Sequence, residues 1–113
     1  MDLQDGLLLR VFIGEADRQE GKPLFHWIVD EAHRRKLAGV TVLRGLEGYS
    51  AGSHIHTARV LRLSTDLPLV VEVVDEATKV EAFMKVLDEA MPGGLITVEK
   101  VRMRPSPKPA ADN

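Results

Sequence analysis

The sequence contains no cysteine in its 113 residues. Disulfide bonds, thiolate nucleophiles and zinc–sulfur sites are therefore excluded together. Aromatic residues make up only 4% of the chain, so its core has to be built from Val, Leu, Ile and Met. No apolar run approaches the roughly 18 residues that a membrane-spanning helix needs. These absences favour a soluble partner or a small molecule over a membrane surface, without direct membrane insertion.

The sequence also lacks a large excess of positive or negative charge. The formal net charge is −2, and the Lys and Arg residues are spread along the chain. The sequence therefore shows no overall basic surface for nucleic acid. The first residues, Met1–Asp5, lack the basic-then-apolar order of a signal peptide. We predict a cytoplasmic protein without a nucleic-acid partner.

A composition of 44% hydrophobic and 28% charged residues is typical of a globular domain. The last nine residues differ, because they contain three prolines and nothing to bury. We therefore expect one folded domain over residues 1–104 and a Pro-rich, disordered tail over residues 105–113.

Apolar periodicity divides the chain into four strands and two helices. Pro23 suits the first turn of a helix, Gly39 is a stop signal, and Asp75 is a favourable N-cap. The predicted strands are Leu7–Ile13, Val40 toward Tyr49, Arg59–Leu63 joined across Ser64–Pro68 to Leu69–Val74, and Leu95–Met103. The predicted helices run from about Pro23 to Leu37 and from the cap at Asp75 to Met91, the second with an apolar face of Val80, Phe83, Met84, Leu87 and Met91.

The element order β-α-β-β-α-β predicts an α+β, ferredoxin-like fold. Right-handed crossovers place both helices on one face of a four-stranded antiparallel sheet. The other face keeps apolar side chains, among them Leu8, Phe12, Val70 and Val74. Because exposed apolar patches usually mark an interface, we expect a homo-oligomer that buries this face.

The stretch from Arg44 to Thr57 is the least core-like part of the chain, with glycines at Gly45, Gly48 and Gly52. No helix follows directly, so the glycines form neither a Rossmann nor a P-loop fingerprint. From spacing alone, the stretch is a flexible hairpin loop. A loop held by a rigid scaffold is also where binding residues concentrate.

Two histidines, His54 and His56, have the i, i+2 spacing that places both rings on one side of an extended segment. Such a pair can ligate a metal, and a metal-binding ferredoxin-like trimer is the alternative function. Only Glu47 is a nearby acidic residue. His26 and His33, on the first predicted helix, are expected to be surface or packing residues.

Catalysis is poorly supported by the residues. Ser50, Ser53 and His56 could form a nucleophile and a base, but no strained elbow or third member accompanies them. We predict that the protein is not an enzyme, with a nucleotide hydrolase using His56 and a purely structural module as further alternatives. Six basic residues on strands or strand ends could meet at a subunit boundary and bind phosphate: Arg44, Arg59, Arg62, Lys100, Arg102 and Arg104.

Several runs of this sequence resemble a bacterial and archaeal family of PII-like proteins, domain of unknown function 190, in the GlnB-like superfamily. The resemblance covers about Leu7 to Met103. The runs that carry it are Gly21–Phe25, Leu37–Tyr49, Ile55–Ala58, Leu61–Ser64, Asp66–Pro68 and Gly94–Val101.

The resemblance implies a homotrimer similar to the PII nitrogen-signalling proteins, with adenine nucleotides as effectors in the clefts between subunits and no required cofactor. It also implies a T-loop that engages a partner protein, such as a membrane transporter. The ligand-binding residues implied by position are Thr41, Gly48, Tyr49, Ser50, Gly93, Gly94, Arg102 and Arg104. The partner loop comprises Gly45, Leu46, Glu47, Gly52, Ser53, His54, Ile55 and His56.

The sequence departs from the PII pattern in two places. The loop is shorter than a T-loop, and its tyrosine, Tyr49, stands at the base instead of the tip. Leu95 occupies the position after the turn where PII proteins place a lysine. The resemblance nevertheless favours a PII-type regulatory protein, in which a bound effector reorders the loop.

Overall fold

The computed structural model describes residues 1–49 and 67–107 of the chain. Within these ranges there are six strands and two helices. The strands are β1 (Gln4–Gly14), β2 (Arg18–Gln19), β3 (Lys22–Pro23), β4 (Gly39–Arg44), β5 (Pro68–Asp75) and β6 (Leu95–Met103), and the helices are α1 (Leu24–Arg34) and α2 (Ala77–Ala90). The four longer strands form one antiparallel sheet in the order β4-β5-β1-β6. This confirms the predicted α+β, ferredoxin-like fold.

The core lies between the two helices and one face of this sheet. Its register pairs Leu9 with Val73 and Val11 with Val71, so these side chains project to the same side. Burying an aliphatic side chain of this size stabilises the fold by about 1.5–3 kcal/mol. The buried apolar residues are Leu9, Val11, Ile13, Leu24, Trp27, Ile28, Ala32, Leu69, Val71, Val73, Val80, Phe83 and Leu87.

The face of the sheet that points away from the helices is called the open face below. In the described ranges no helix covers it. Leu8 and Phe12 of β1 lie there beside Val70 and Val74 of β5, and all four are half-buried. The expectation of a partly apolar second face is therefore confirmed.

Helix α1 is shorter than predicted at both ends. Pro23 has an extended backbone (φ −57°, ψ 136°) and pairs with Arg18 in the β2–β3 ribbon, so the helix begins at Leu24. Lys36 adopts a left-handed conformation, with φ 59°. The Leu37 N–H then donates to the Ala32 carbonyl at 3.0 Å, which is the closing bond of a Schellman motif. The helix therefore stops before Gly39.

Asp75 does not cap α2, and that prediction was wrong. The residue is the last of β5, opposite Leu7, and it is buried. The N-cap is Glu76, which makes no side-chain capping bond. The Asp75 carboxylate instead accepts from the backbone N–H groups of Ala38 and Glu76.

Two other predicted boundaries changed. The polar connection after Gly14 contains the β2–β3 ribbon, whose turn uses positive φ at Glu20 and Gly21. Strand β4 ends at Arg44 and does not continue toward Tyr49.

The remaining strand and helix predictions have different outcomes. The segment 59–63 lies outside the described residues, whereas β6 has the predicted bounds Leu95–Met103. In ranges 1–49 and 67–107, neither helix is long and apolar enough to cross a membrane.

Candidate functional site

One end of the sheet gathers most of the connections that the sequence singled out. The antiparallel registers place Arg44 beside Leu69, Gly14 beside Pro68, and Phe12 beside Leu95. We call this edge of the sheet the loop end. It carries both the segment after β4 and the turn between α2 and β6.

The base of the loop is fixed by backbone bonds and one ion pair. The Gly45 N–H donates to the Pro68 carbonyl at 2.7 Å, and the Glu15 N–H donates to the Leu67 carbonyl at 2.8 Å. The Arg44 guanidinium also forms an ion pair with the Glu15 carboxylate. Two neighbouring segments are thereby tied to the start of β5, so the loop leaves the sheet from a defined position.

Beyond this base the chain becomes exposed. Gly48 has φ 155°, and a Cβ added there would lie 3.6 Å from Pro68 Cγ. Leu46 is 93% exposed and Tyr49 is 76% exposed, although both are large and apolar or aromatic. Large apolar and aromatic side chains give up little hydration free energy when another surface covers them. This part of the loop can therefore contact a ligand or another chain.

The turn between α2 and β6 depends on one of its two glycines. Gly94 has φ 111°, and an added Cβ would lie 3.0 Å from Met91 Cε. An added Cβ on Gly93 would meet nothing within 4 Å. The turn is exposed, and Leu95, which follows it, is 42% exposed. An anion could approach the backbone of this turn closely, because neither glycine has a side chain that would obstruct it.

The loop and the turn lie at the same end of the sheet but on opposite edges. Strands β5 and β1 separate β4 from β6. Three strand spacings amount to about 14 Å. Within one chain, the Gly48–Tyr49 segment and the Gly93–Gly94 turn therefore lie on opposite edges of the sheet.

The remaining ligand-site candidates lie elsewhere on the chain. Arg102 is near the far end of β6, about 24 Å along the strand from the turn. Its guanidinium lies 3.4 Å from Asp5 Oδ1 and donates to the Leu3 carbonyl at 3.3 Å. Arg104 is exposed just after the strand, and Thr41 is exposed in the middle of β4.

Part of the predicted site lies outside the described residues. This applies to Ser50 and to the loop positions Gly52, Ser53, His54, Ile55 and His56, as well as to Arg59 and Arg62. Lys100 is exposed on β6, opposite Leu7, and therefore points to the helix side of the sheet. The assignment of these residues to a ligand or a partner stays a prediction.

Metal binding has no support in the described ranges. There, no group of three or more His, Asp or Glu residues is arranged to hold an ion. His26 and His33 are exposed on α1, as expected for surface residues. His26 Nε2 lies 3.6 Å from the Asp30 carboxylate, one helical turn further on.

Ion pairs shift the pKa of two carboxylates on α1. A hydrogen bond from Lys22 lowers the pKa of Asp30 below its ordinary value. A hydrogen bond from Arg34 is the main cause that lowers the pKa of Glu31; burial opposes it, and a bond from Arg35 has a smaller lowering effect. Both carboxylates lie on the helix layer, away from the loop end, and are not among the candidate site residues.

Sequence reasoning missed a charged cluster in the middle of the open face. Arg10 Nε donates to Glu72 Oε2 at 3.0 Å, and Arg10 Nη1 pairs with Glu99 Oε1. The bonds from Glu99 and Glu72 raise the pKa of the Arg10 guanidinium above its ordinary value. The available signal was a lone arginine in the run Leu7–Ile13, which is otherwise apolar.

The sequence profile of the DUF190 family, described as "Uncharacterized ACR", matches residues 6–103. The chain belongs to this family. A UPF0166 protein of Aquifex aeolicus (strain VF5) is 36% identical over 96 residues, which cover 85% of this chain and 90% of that relative. A UPF0166 protein of Methanocaldococcus jannaschii is 28% identical over 92 residues, covering 80% and 84% of the two chains.

Solved PII-like proteins share the fold of this DUF190 chain. CPII from Thiomonas intermedia K12, in a structure bound to ADP and bicarbonate, superposes with a TM-score of 0.66 at 13% identity, covering 90% of this chain and 91% of CPII. A protein from Thermus thermophilus, provisionally assigned to PII-like signalling, gives a TM-score of 0.60 at 18% identity, covering 91% and 93%. At these identities the likeness establishes a PII-like fold.

Proposed function

We propose that this DUF190 protein is a PII-type regulator that assembles as a homotrimer and binds an adenine nucleotide between subunits. In this proposal, the bound nucleotide changes how the loop that begins at Gly45 engages a partner protein. The observation that carries it is the placement of the exposed Gly48–Tyr49 segment and the Gly93–Gly94 turn at one end but on opposite edges of the sheet. The PII-like fold and a nucleotide-bound neighbour support it.

The two edges suggest how a shared site would form. Each chain offers a loop base on the β4 edge and a glycine turn on the β6 edge. When copies are arranged around a rotation axis, unlike edges of neighbouring chains come together. Three copies then give three equivalent clefts, each with one loop base and one turn.

The chemistry of the residues favours an anionic ligand. The turn offers backbone N–H groups that no side chain at Gly93 or Gly94 obstructs, and such groups bind phosphate oxygens well. Arg102 and Arg104 add guanidinium groups that form charge-assisted bonds to phosphate. Because they lie about 24 Å or more along β6 from the turn of their own chain, those that reach a phosphate at this turn would belong to a neighbouring copy. With Leu95 in place of a lysine, the turn itself supplies no cation, so these arginines would provide the positive charge.

The loop is the proposed contact with a partner. Leu46 and Tyr49 offer apolar and aromatic surface immediately after the rigid base, and aromatic residues are enriched in interfaces. A cytoplasmic protein of this type would regulate a partner such as a membrane transporter without entering the bilayer. We propose binding and release of the effector, not its chemical turnover.

Isothermal titration calorimetry with ATP, ADP, AMP and cyclic nucleotides tests the nucleotide. The sharpest variant is Gly93→Asp, because its Cβ has free space and its carboxylate would repel a phosphate. Gly93→Asn is the matched control, since it has the same shape without the charge. We expect the aspartate variant to lose binding and the asparagine variant to retain it. Absence of heat with all nucleotides would reject the proposal.

Mixed assemblies test whether the site is shared between chains. Tyr49→Ala and Gly93→Asp chains should each bind poorly alone. After the two are unfolded and refolded together, a minority of clefts would combine an intact loop base with an intact turn. Recovery of binding in the mixture supports a shared cleft, and its absence would place the site within one chain.

A further inference from the structure

The open face of the sheet carries a charged cluster between two apolar regions. Arg10 of β1 stands opposite Glu72 of β5, and Glu99 of β6 lies on the same face, opposite Leu8. The exposed fractions of the three side chains are 34% for Arg10, 29% for Glu72 and 55% for Glu99. One guanidinium thus serves two carboxylates, and both bonds lie across strands in the centre of the sheet.

Apolar residues surround this cluster along the strand direction. Leu8 and Val74 lie on one side of it, and Phe12 and Val70 lie on the other. Removing these four apolar side chains from water is favourable, which favours an assembly that covers the face. Covering the face also removes the charged cluster from water. Because burying an unpaired charge is costly, each charged group then needs a partner within the assembly.

The cluster has one more negative charge than positive charge. On the open face, within ranges 1–49 and 67–107, β1 contributes Arg10, β5 contributes Glu72, and β6 contributes Glu99. Strand β4 contributes the uncharged positions Gly39, Thr41 and Leu43. The registers place the other charged residues of the four-stranded sheet on the helix side: Asp5, Arg44, Asp75, Lys100 and Arg102.

Further copies of the described ranges add no cation that cancels this surplus. From these ranges each copy brings one guanidinium and two carboxylates to the open face, so a symmetric assembly that covers the face encloses one excess negative charge per chain. A buried carboxylate without a partner favours its protonated form. Uptake of a proton removes the excess charge and lets the remaining carboxylate pair with Arg10.

We propose that closing the open face with further copies of this chain takes up about one proton per chain at the Glu72–Glu99 carboxylates, so that acid strengthens self-association. The inference rests on the homotrimer proposed above and adds a form of regulation to it. The sign follows from linkage: the assembly holds more protons than the separate chains. Association therefore tightens as pH falls and weakens as pH rises, by about tenfold per pH unit for each proton taken up.

Sedimentation equilibrium at several protein concentrations, from about pH 5 to about pH 9 at constant ionic strength, measures this dependence. We expect the wild-type association constant to fall as pH rises. Glu99→Gln removes the surplus charge and should give an assembly that is tighter at alkaline pH and nearly independent of pH. Glu81→Gln, at an exposed position of α2, is the matched control and should behave as the wild type.

A second variant reaches the same result by a different route. Thr97→Lys introduces a cation opposite Arg10 on the open face, where it can neutralise the surplus carboxylate. It should also flatten the pH dependence, even if Glu99→Gln were to fold poorly. Agreement between a removed anion and an added cation would identify charge balance as the cause.

Three outcomes would overturn the inference. The first is a wild-type assembly whose association does not change with pH, as expected if a cation elsewhere in the chain neutralises the cluster. The second is a Glu99→Gln variant that keeps the wild-type slope. The third is association that follows Mg²⁺ at constant pH. A protein that is monomeric at every pH would instead reject the proposed homotrimer itself.

Discussion

The Asp75 carboxylate accepts a hydrogen bond from the backbone N–H of Ala38 at 2.8 Å, across 37 positions of sequence. Its other oxygen accepts from the Glu76 N–H at 2.6 Å. Asp75 is only 6% exposed, so both bonds are made where water has little access. One side chain therefore joins the end of β5 and the start of α2 to the segment that enters β4.

Replacing Asp75 with alanine should destabilise the protein by about 1–3 kcal/mol, because two partly buried N–H groups lose their acceptor. Urea unfolding followed by circular dichroism measures the change. Asp75→Asn should fall in between, since its amide oxygen can replace one acceptor. Asp88→Ala, at an exposed position of α2, is the control, and we expect it to stay within about 0.5 kcal/mol of the wild type. An equally small effect at Asp75 would contradict the structure.

Gly94→Ala should cost about 1–3 kcal/mol, because a side chain at φ 111° is strained. The contact with Met91 Cε adds less, since the end of that side chain can move. Gly93→Ala is a neighbouring control with free space around its Cβ. Differential scanning calorimetry should therefore show a lower melting temperature for the first variant and little change for the second. Equal melting temperatures would mean that the turn is not strained at Gly94.

The Glu31 ion pairs should contribute to stability only above acidic pH. Hydrogen bonds from Arg34 and Arg35 lower the folded-state pKa of Glu31 below its ordinary value of 4.5. This contribution is fully present above the ordinary value and is lost as pH falls through the folded-state pKa. Melting curves at a series of pH values should show a weaker acid dependence for Glu31→Gln than for the control Glu89→Gln. Parallel pH profiles would argue against the ion pairs.

Arg104→Ala should weaken nucleotide binding about tenfold or more, because a charge-assisted hydrogen bond contributes about 1.5–3 kcal/mol. Lys85→Ala removes the same charge from an exposed position on α2 and should leave the affinity unchanged. Calorimetry at two salt concentrations separates a direct contact from a general effect of charge. An equal loss in both variants would exclude a specific role for Arg104.

The sequence predicted the fold where periodicity reports burial. The apolar face of α2 and the bounds of β6 could be predicted from local spacing, because apolar residues recur with the period of the helix or strand that contains them. The end of α1 could not, since Lys36 takes a left-handed conformation that sequence rules assign to glycine. Asp75 was predicted to be a cap because its residue type is typical of one. Its actual partner, the N–H of Ala38, is distant in sequence and could not be inferred from local pattern.

The candidate site was less predictable from the sequence, for a related physical reason. The cluster of Arg10, Glu72 and Glu99 joins residues separated by 62 and 89 positions. Only the strand order and register bring them together. The placement of Tyr49 and Gly94 on opposite edges likewise follows from the sheet topology, and no local pattern in the sequence contains it.

The bond from the Gly45 N–H to the Pro68 carbonyl has a consequence for how such proteins can diversify. It extends the β4–β5 pairing by one step and holds both ends of the intervening segment at a fixed separation. The cost of closing a flexible loop grows slowly with its length, by only about 0.6 kcal/mol for each doubling. A relative's segment could therefore be grafted between Gly45 and Pro68 without changing the sheet, so that partner choice can evolve independently of the scaffold.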